Sequence, residues 1–361
     1  MKEEKRLAEL KGGHPSGPLG YISPSCRARA TAIERADIPE DEIPSDAVRL
    51  DRDTGTGCKV YGWIEDDGTV RLWTDADAIA LADDTADMFS HCMSVTHIDT
   101  SLFDTSGVTN MKEMFLDCSM LESIDLSPFD TSHVKTMEGM FNGCRSLRNI
   151  DLSPLDTSHV AKMDAMFRMC ESLTSVDLSG IDTSSVTDIG WMFFGCRSLE
   201  SISLARLDTS SVRKMEWLFL DCDSLRSVDL GGIDTSRTED MVGLFCGCSS
   251  LEHVDLSALD TSSVDTMSYM FDGCRSLKEI DLSGFETSGL YYTDDMFRDC
   301  ASLESLDLSH FDGNIQFKKK SLRGCDSLKS LSVPEGWEWT QFRFAAKKEK
   351  AVAHRDNGRE R

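Results

Sequence analysis

Apolar residues recur along most of this chain with a period of 26. Cysteines stand at 92, 118, 144, 170, 196, 222, 248, 274 and 300, each three residues after a phenylalanine that keeps the same step, from Phe89 to Phe297. A last copy, "SLRGCDSLKSLSV", brings Cys325 one residue early, after the divergent stretch "FDGNIQFKKK". About ten units fill residues 88–333. Such self-similarity decides architecture before any local reading does.

Within the second unit, Leu121-x-x-Ile124-x-Leu126 ends in a period-2 alternation, which predicts a short strand with Ile124 and Leu126 on one face. Val134, Met137, Met140 and Phe141 follow at spacings of three and four, which predicts a short helix with Ser132 placed to cap it. A unit of strand, turn and short helix cannot bury its own apolar side, and stacking its neighbours makes one continuous core. The expectation is an α/β repeat solenoid of leucine-rich-repeat type, with a parallel sheet whose rungs lie about 4.8 Å apart.

The flanks read differently. Residues 1–50 hold five of the eight prolines and many charges, the composition of a flexible arm. Over 51–87 we expect an N-terminal cap, because "KVYGWIEDDGTVRLW" (59–73) alternates around Asp67-Gly68 as a hairpin does. That hairpin is expected to cover the first rung. Residues 334–345, with Trp337 and Trp339, are expected to close the last rung, and 346–361 to form a basic disordered tail.

Charge narrows the partners. Lys+Arg 38 against Asp+Glu 63 gives a net charge of −25 at pH 7. That field repels phosphate backbones and anionic lipid, which disfavours nucleic acid and membrane insertion and favours basic protein surfaces or cations. No apolar run approaches the roughly 20 residues of a membrane span. "MKEEKRLAELKGGHPSG" lacks the apolar core of a secretory signal, so the chain taken alone reads as soluble and unexported.

Each chemically able group has a structural alternative. The cysteine ladder follows the inward apolar pattern, and stacked Cβ atoms about a rung apart exceed the roughly 3.5–4.5 Å that a disulfide needs, so these thiols read as small buried hydrophobes. Cys246, in "FCGC", falls off the ladder and is the candidate reactive thiol. His133 and His159 share one position in adjacent units and could share a metal, but two solvated histidines fit far better. Asp53-Thr54-Gly55 matches an aspartic-protease triplet, but its flanks, Asp51 and Arg52, are polar where that chemistry needs an apolar strand. The Thr-Ser pairs read as turn and cap residues. Charges after the ladder leucine (Glu252, Lys278, Glu304, Lys329) and after the cysteine (Arg145, Glu171, Arg197) largely alternate in sign, which would fix register between rungs.

One row remains as a candidate interaction face: Asp125, Asp151, Asp177, Asp229, Asp255, Asp281 and Asp307, each between inward apolar residues and interrupted by Ser203. Carboxylates about 5 Å apart repel by roughly 1 kcal/mol in water. Hydroxyls, bound Ca²⁺ or a basic partner could offset that.

The unit "MFxxCxSLxxIDLSxFDTSxVxxM" resembles the bacterial BspA-like leucine-rich repeat proteins, which share it with mycoplasma lipoprotein repeats. The resemblance covers residues 88–333. It implies a surface-exposed or secreted bacterial protein that binds host proteins or other cells, with no family catalytic residues. The resulting expectation is a non-enzymatic interaction or adhesion module with no cofactor. An intracellular (cytoplasmic) scaffold or a Ca²⁺-stabilised repeat protein is the alternative.

Overall fold

The computed structural model describes residues 6–10, 22, 25–51, 57–315, 317–335 and 337, the side chain of Lys319 excepted. Asp53, Thr54, Gly55, Trp339 and the tail 346–361 lie outside the described residues.

The 26-residue units stack one on another as rungs. Parallel bridges join Asp84 to Asn110, Asn110 to Thr136, and so on in steps of 26 to Tyr292. The inward positions are buried throughout: Phe115, Cys118, Leu121, Val134, Met137 and Met140 all have 0% exposure. Phenylalanines from Phe89 to Phe297 form a single column, with ring centroids 5.4–5.8 Å apart and planes within 14° of parallel. Offset stacking of this kind adds about 0.5–1.5 kcal/mol per pair beyond the area buried.

Where a helix was expected, the chain makes a run of hydrogen-bonded turns. Met114, Leu116 and Cys118 donate three residues back, to Met111, Glu113 and Phe115, while the amides between them donate to the next rung, Phe115 to Met140 and Asp117 to Asn142. An α-helix cannot do this, because its amides all point four residues back along one chain. The turns need positive φ twice per unit, at Glu113 and Asp117 (+54° and +56°), at Gly139 and Gly143 (+59° and +77°), and at the matching positions of later units. That dihedral at the third turn position is the mark of type II turns. Apolar residues three and four apart still share a face, so the core prediction survives the loss of the helix.

The strand prediction also needs correction. Among the described residues, regular pairing of the predicted segment from unit to unit occurs only between β9 (Ser201–Ser203) and β10 (Ser227–Asp229), and between β11 (Ser305–Asp307) and β12 (Ser330–Ser332), both parallel and in register. Elsewhere on this side the rung-to-rung bonds run from 3.0 Å, Ser172 to Arg145, to 3.4 Å, Thr174 to Arg148. On the turn side they run from 2.6 to 3.2 Å, with the bond from Gly143 to Arg168 at 2.7 Å. The rungs are held together most tightly through their turns.

Buried threonines add a second inter-rung tie. Thr157 Oγ1 donates to the Asp182 carbonyl at 2.8 Å and accepts from the Asp182 amide at 2.8 Å. Thr209 does the same with Asp234, and Thr235 with Asp260.

The predicted hairpin forms from β4 (Val60–Ile64) and β5 (Thr69–Thr74), with Gly68 at φ +91° in its turn. It does not touch the first rung's strand directly. β2 (Ala32–Arg35), from the segment read as a flexible arm, lies between β5 and β7 (His97–Ile98) and pairs with both in parallel. Ile33 is the reason: it has no exposure and carries the apolar column one step below Ile98. On the turn side β6 (Ala78–Ala80) pairs with β8 (Phe103–Asp104), so the cap imitates a rung from separate pieces. At the other end Trp337 stacks on Phe317 with centroids 5.7 Å apart.

Candidate functional site

Every member of the predicted aspartate row is exposed: Asp125, Asp151, Asp177, Asp229, Asp255, Asp281 and Asp307. Each carboxylate has a local partner. Oδ1 accepts the amide two residues on, Ser127 for Asp125, Ser153 for Asp151, Ser179 for Asp177 and Gly231 for Asp229, at 2.9–3.0 Å. Asp255, Asp281 and Asp307 do the same with Ser257, Ser283 and Ser309. These Asx turns are what that side chain makes where a chain must bend. The amide contacts hold the Asp125, Asp177 and Asp255 carboxyls below the usual carboxylate range, so the row stays ionised despite its own repulsion.

A second row, missed in the sequence, runs five residues later. Asp130, Asp156, Asp182, Asp208, Asp234 and Asp260 are exposed, and each Oδ1 accepts the amide of the serine after the threonine. The motif Asp-Thr-Ser was visible. What was not apparent is the division of labour within it: Asp bends the chain, Thr bridges rungs, and the serine hydroxyl, instead of capping a helix, returns to the aspartate, as Ser132 does to Asp130 at 2.6 Å.

The ladder thiols are buried and do more than fill space. Cys144 Sγ donates to the Phe115 carbonyl and Cys170 to Phe141, both at 3.2 Å, a weak inter-rung bond repeated at each step. Burial pushes these thiols far up, so they stay protonated. Cys246, the candidate reactive thiol, is half-buried, and burial with Asp272 and Asp221 beside it raises it to about 12. That is the opposite of an activated nucleophile.

His133 and His159 line one surface cavity with Ser132, Lys135 and Ala161. Each Nδ1 meets the hydroxyl of its preceding serine, at 3.2 and 3.1 Å. Among the described residues no group of three or more His, Cys, Asp or Glu is placed to hold a metal ion. Several of the alternating charges do pair across rungs: Lys278 with Glu252 at 2.6 Å, Lys329 with Glu304 at 2.8 Å, and Arg145 with Glu171. Among the described residues no helix is long and apolar enough to cross a membrane.

No curated protein matches the chain. Among solved structures it is similar to a leucine rich cell surface protein from Faecalibacterium prausnitzii A2-165, at 19% identity and TM-score 0.34, over 71% of this chain and 78% of that one. It is also similar to TLR13 in its complex with ssRNA13 (16% identity, TM-score 0.32, 71% of this chain) and to the Toll–Spatzle complex of Drosophila (14%, 0.30, 74%). The chain spans only 38% and 37% of those two chains. The family described as "Mycoplasma protein of unknown function, DUF285" matches residues 83–204, 146–229, 170–254 and 213–320, and the chain belongs to that family.

Proposed function

We propose that this chain is a non-enzymatic protein-interaction module, a BspA-like repeat solenoid displayed on a bacterial surface, that engages a basic protein surface through its aspartate rows. The observation that carries this is the pair of exposed carboxylate rows, where contacts with the serine two residues on lower the carboxyls of Asp151, Asp177 and Asp182 and keep them charged. A net charge of −25 steers cationic partners towards the chain. The pairing is wet and salt-sensitive, because exposed ion pairs contribute about 0–1 kcal/mol each and only their number makes a site.

The test uses Asp151→Asn, Asp177→Asn and Asp229→Asn together. Asparagine keeps the Oδ1 acceptor of each Asx turn and removes only the charge. Beads coated with the wild-type chain should adhere to cultured epithelial cells at low salt, and the triple variant should adhere several-fold less. Equal adhesion of the two proteins would overturn the proposal.

A further inference from the structure

The first unit has Thr85 after its bridge residue, with its amide and hydroxyl both donating to the Asn110 carbonyl, and a later rung repeats that threonine without those bonds. In seven preceding units the position after the bridge residue is an apolar core side chain, Met111, Met137, Met163, Ile189, Met215, Met241 and Met267, each no more than 2% exposed. The next unit places Thr293 there. Each of those seven amides donates to a carbonyl one rung on, Met267 to Tyr292 being the last. Beyond Thr293 the chain diverges through "FDGNIQFKKK", and the Thr293 amide donates to no described residue. The Thr293 hydroxyl also has no partner among the described residues, although the residue is only 3% exposed. An unpaired buried donor costs about 1–3 kcal/mol, and the Thr293 hydroxyl is one.

Thr293 borders a cavity of about 460 Å³ that is also lined by Thr287, Leu290, Asp312, Ile315 and Lys318. At its rim stand Tyr291 and Tyr292, 73% and 61% exposed, in columns where earlier units carry small or polar residues such as Asp265 and Thr266. Asp312 commits Oδ1 to the amide and side chain of Asn314 and leaves Oδ2 for a ligand. Asp294 meets Lys318 at 2.7 Å on the cavity wall.

We infer that this defective rung is a saccharide-binding site, taking one or two sugar units of a glycan. The chemistry selects that class. A carboxylate ligand meets Asp294 and Asp312, and a cation meets the donors of Thr293. A neutral sugar hydroxyl donates to Asp312 Oδ2 and accepts from the donors around Thr293, while the tyrosine rings offer flat faces to sugar C–H groups. The volume lies within the range of about 300–1,000 Å³ usual for small-ligand sites. Asp312 holds the second row's position in the last unit, 26 residues after Glu286, but the sugar site does not depend on the rows' role in binding protein.

Saturation-transfer NMR on the full chain tests this, with free glucose, galactose, mannose, N-acetylglucosamine and N-acetylgalactosamine at millimolar concentration. At least one sugar should receive saturation from the wild type. Thr293→Met restores the residue of the other rungs, fills the space and should abolish the signal without lowering Tm. Tyr291→Ala with Tyr292→Ala, both at exposed positions, should weaken binding at least tenfold. No transfer to any of the five sugars, or undiminished transfer in either variant, would overturn the inference.

Discussion

Replacing Thr157 by valine removes one hydroxyl and keeps the shape. Thr157 is 2% exposed, and its Oγ1 serves both main-chain groups of Asp182, one rung on, at 2.8 Å each. The variant therefore leaves an N–H and a C=O without their partner, at about 1–3 kcal/mol for each group that water cannot reach. The Asp182 side chain is exposed, so water relieves part of this, and the expected loss is about 2 kcal/mol. For a structure of this size that corresponds to about 4–8 °C in Tm, read by circular dichroism. Ser158→Ala is the control: the neighbouring hydroxyl meets only exposed groups, the Asp156 carboxylate at 2.7 Å and His159 Nδ1 at 3.1 Å, and its loss should cost no more than about 0.5 kcal/mol. Thr157→Ser should lie close to wild type, because it keeps the hydroxyl. If the valine variant melts within 1 °C of wild type, the threonine column is not an inter-rung tie and this account of the stack is wrong.

Phe193 stacks between Phe167 and Phe219 at 5.8 Å on both sides, so Phe193→Ala should cost about 3–5 kcal/mol in urea unfolding. The same change at Phe297, whose outer neighbour Phe317 is tilted by 40°, should cost less. Iodoacetamide at pH 8 should label the native chain slowly at Cys246 as well as along the ladder, since burial and nearby carboxylates keep that thiol protonated; rapid labelling at Cys246 would contradict this. Burial, with Glu138 and Asp188 nearby, raises Asp164 to about 6. The folded state then holds the extra proton, so stability falls as pH rises from about 4 to about 6. The lowered aspartates of the exposed rows act in the other direction, and their contribution is lost as pH falls through their folded values, below the ordinary 3.8. Asp164→Asn should raise Tm at pH 7 and flatten the melt between pH 4 and 6; an unchanged pH profile would show that Asp164 is solvated.

The core was legible because burial repeats with the sequence. Phe141, Cys144 and Leu147 face inward as their spacing implies, and Asp151 faces out. The helix was misread because apolar residues three and four apart mark a helical face and a run of turns alike. What separates them is the sign of φ at two positions per unit, and the glycines that advertise it, Gly143, Gly195 and Gly247, alternate with Asp117, Met169 and Asp221. Those residues hide the signal, because only the bonds from the next rung hold them at positive φ.

The sequence by itself determined the period, the inward set and the exposed acid, since each follows from the recurrence of residue types. Only the tertiary structure decided which groups each rung lends to the next. The Asp182 amide and carbonyl meet Thr157, 25 residues away, and the Phe141 carbonyl meets Cys170, 29 residues away. The missing bond at Thr293 is visible only where a neighbouring rung fails to supply it. Such pairings depend on how one rung lies against another, a register that no single 26-residue copy contains.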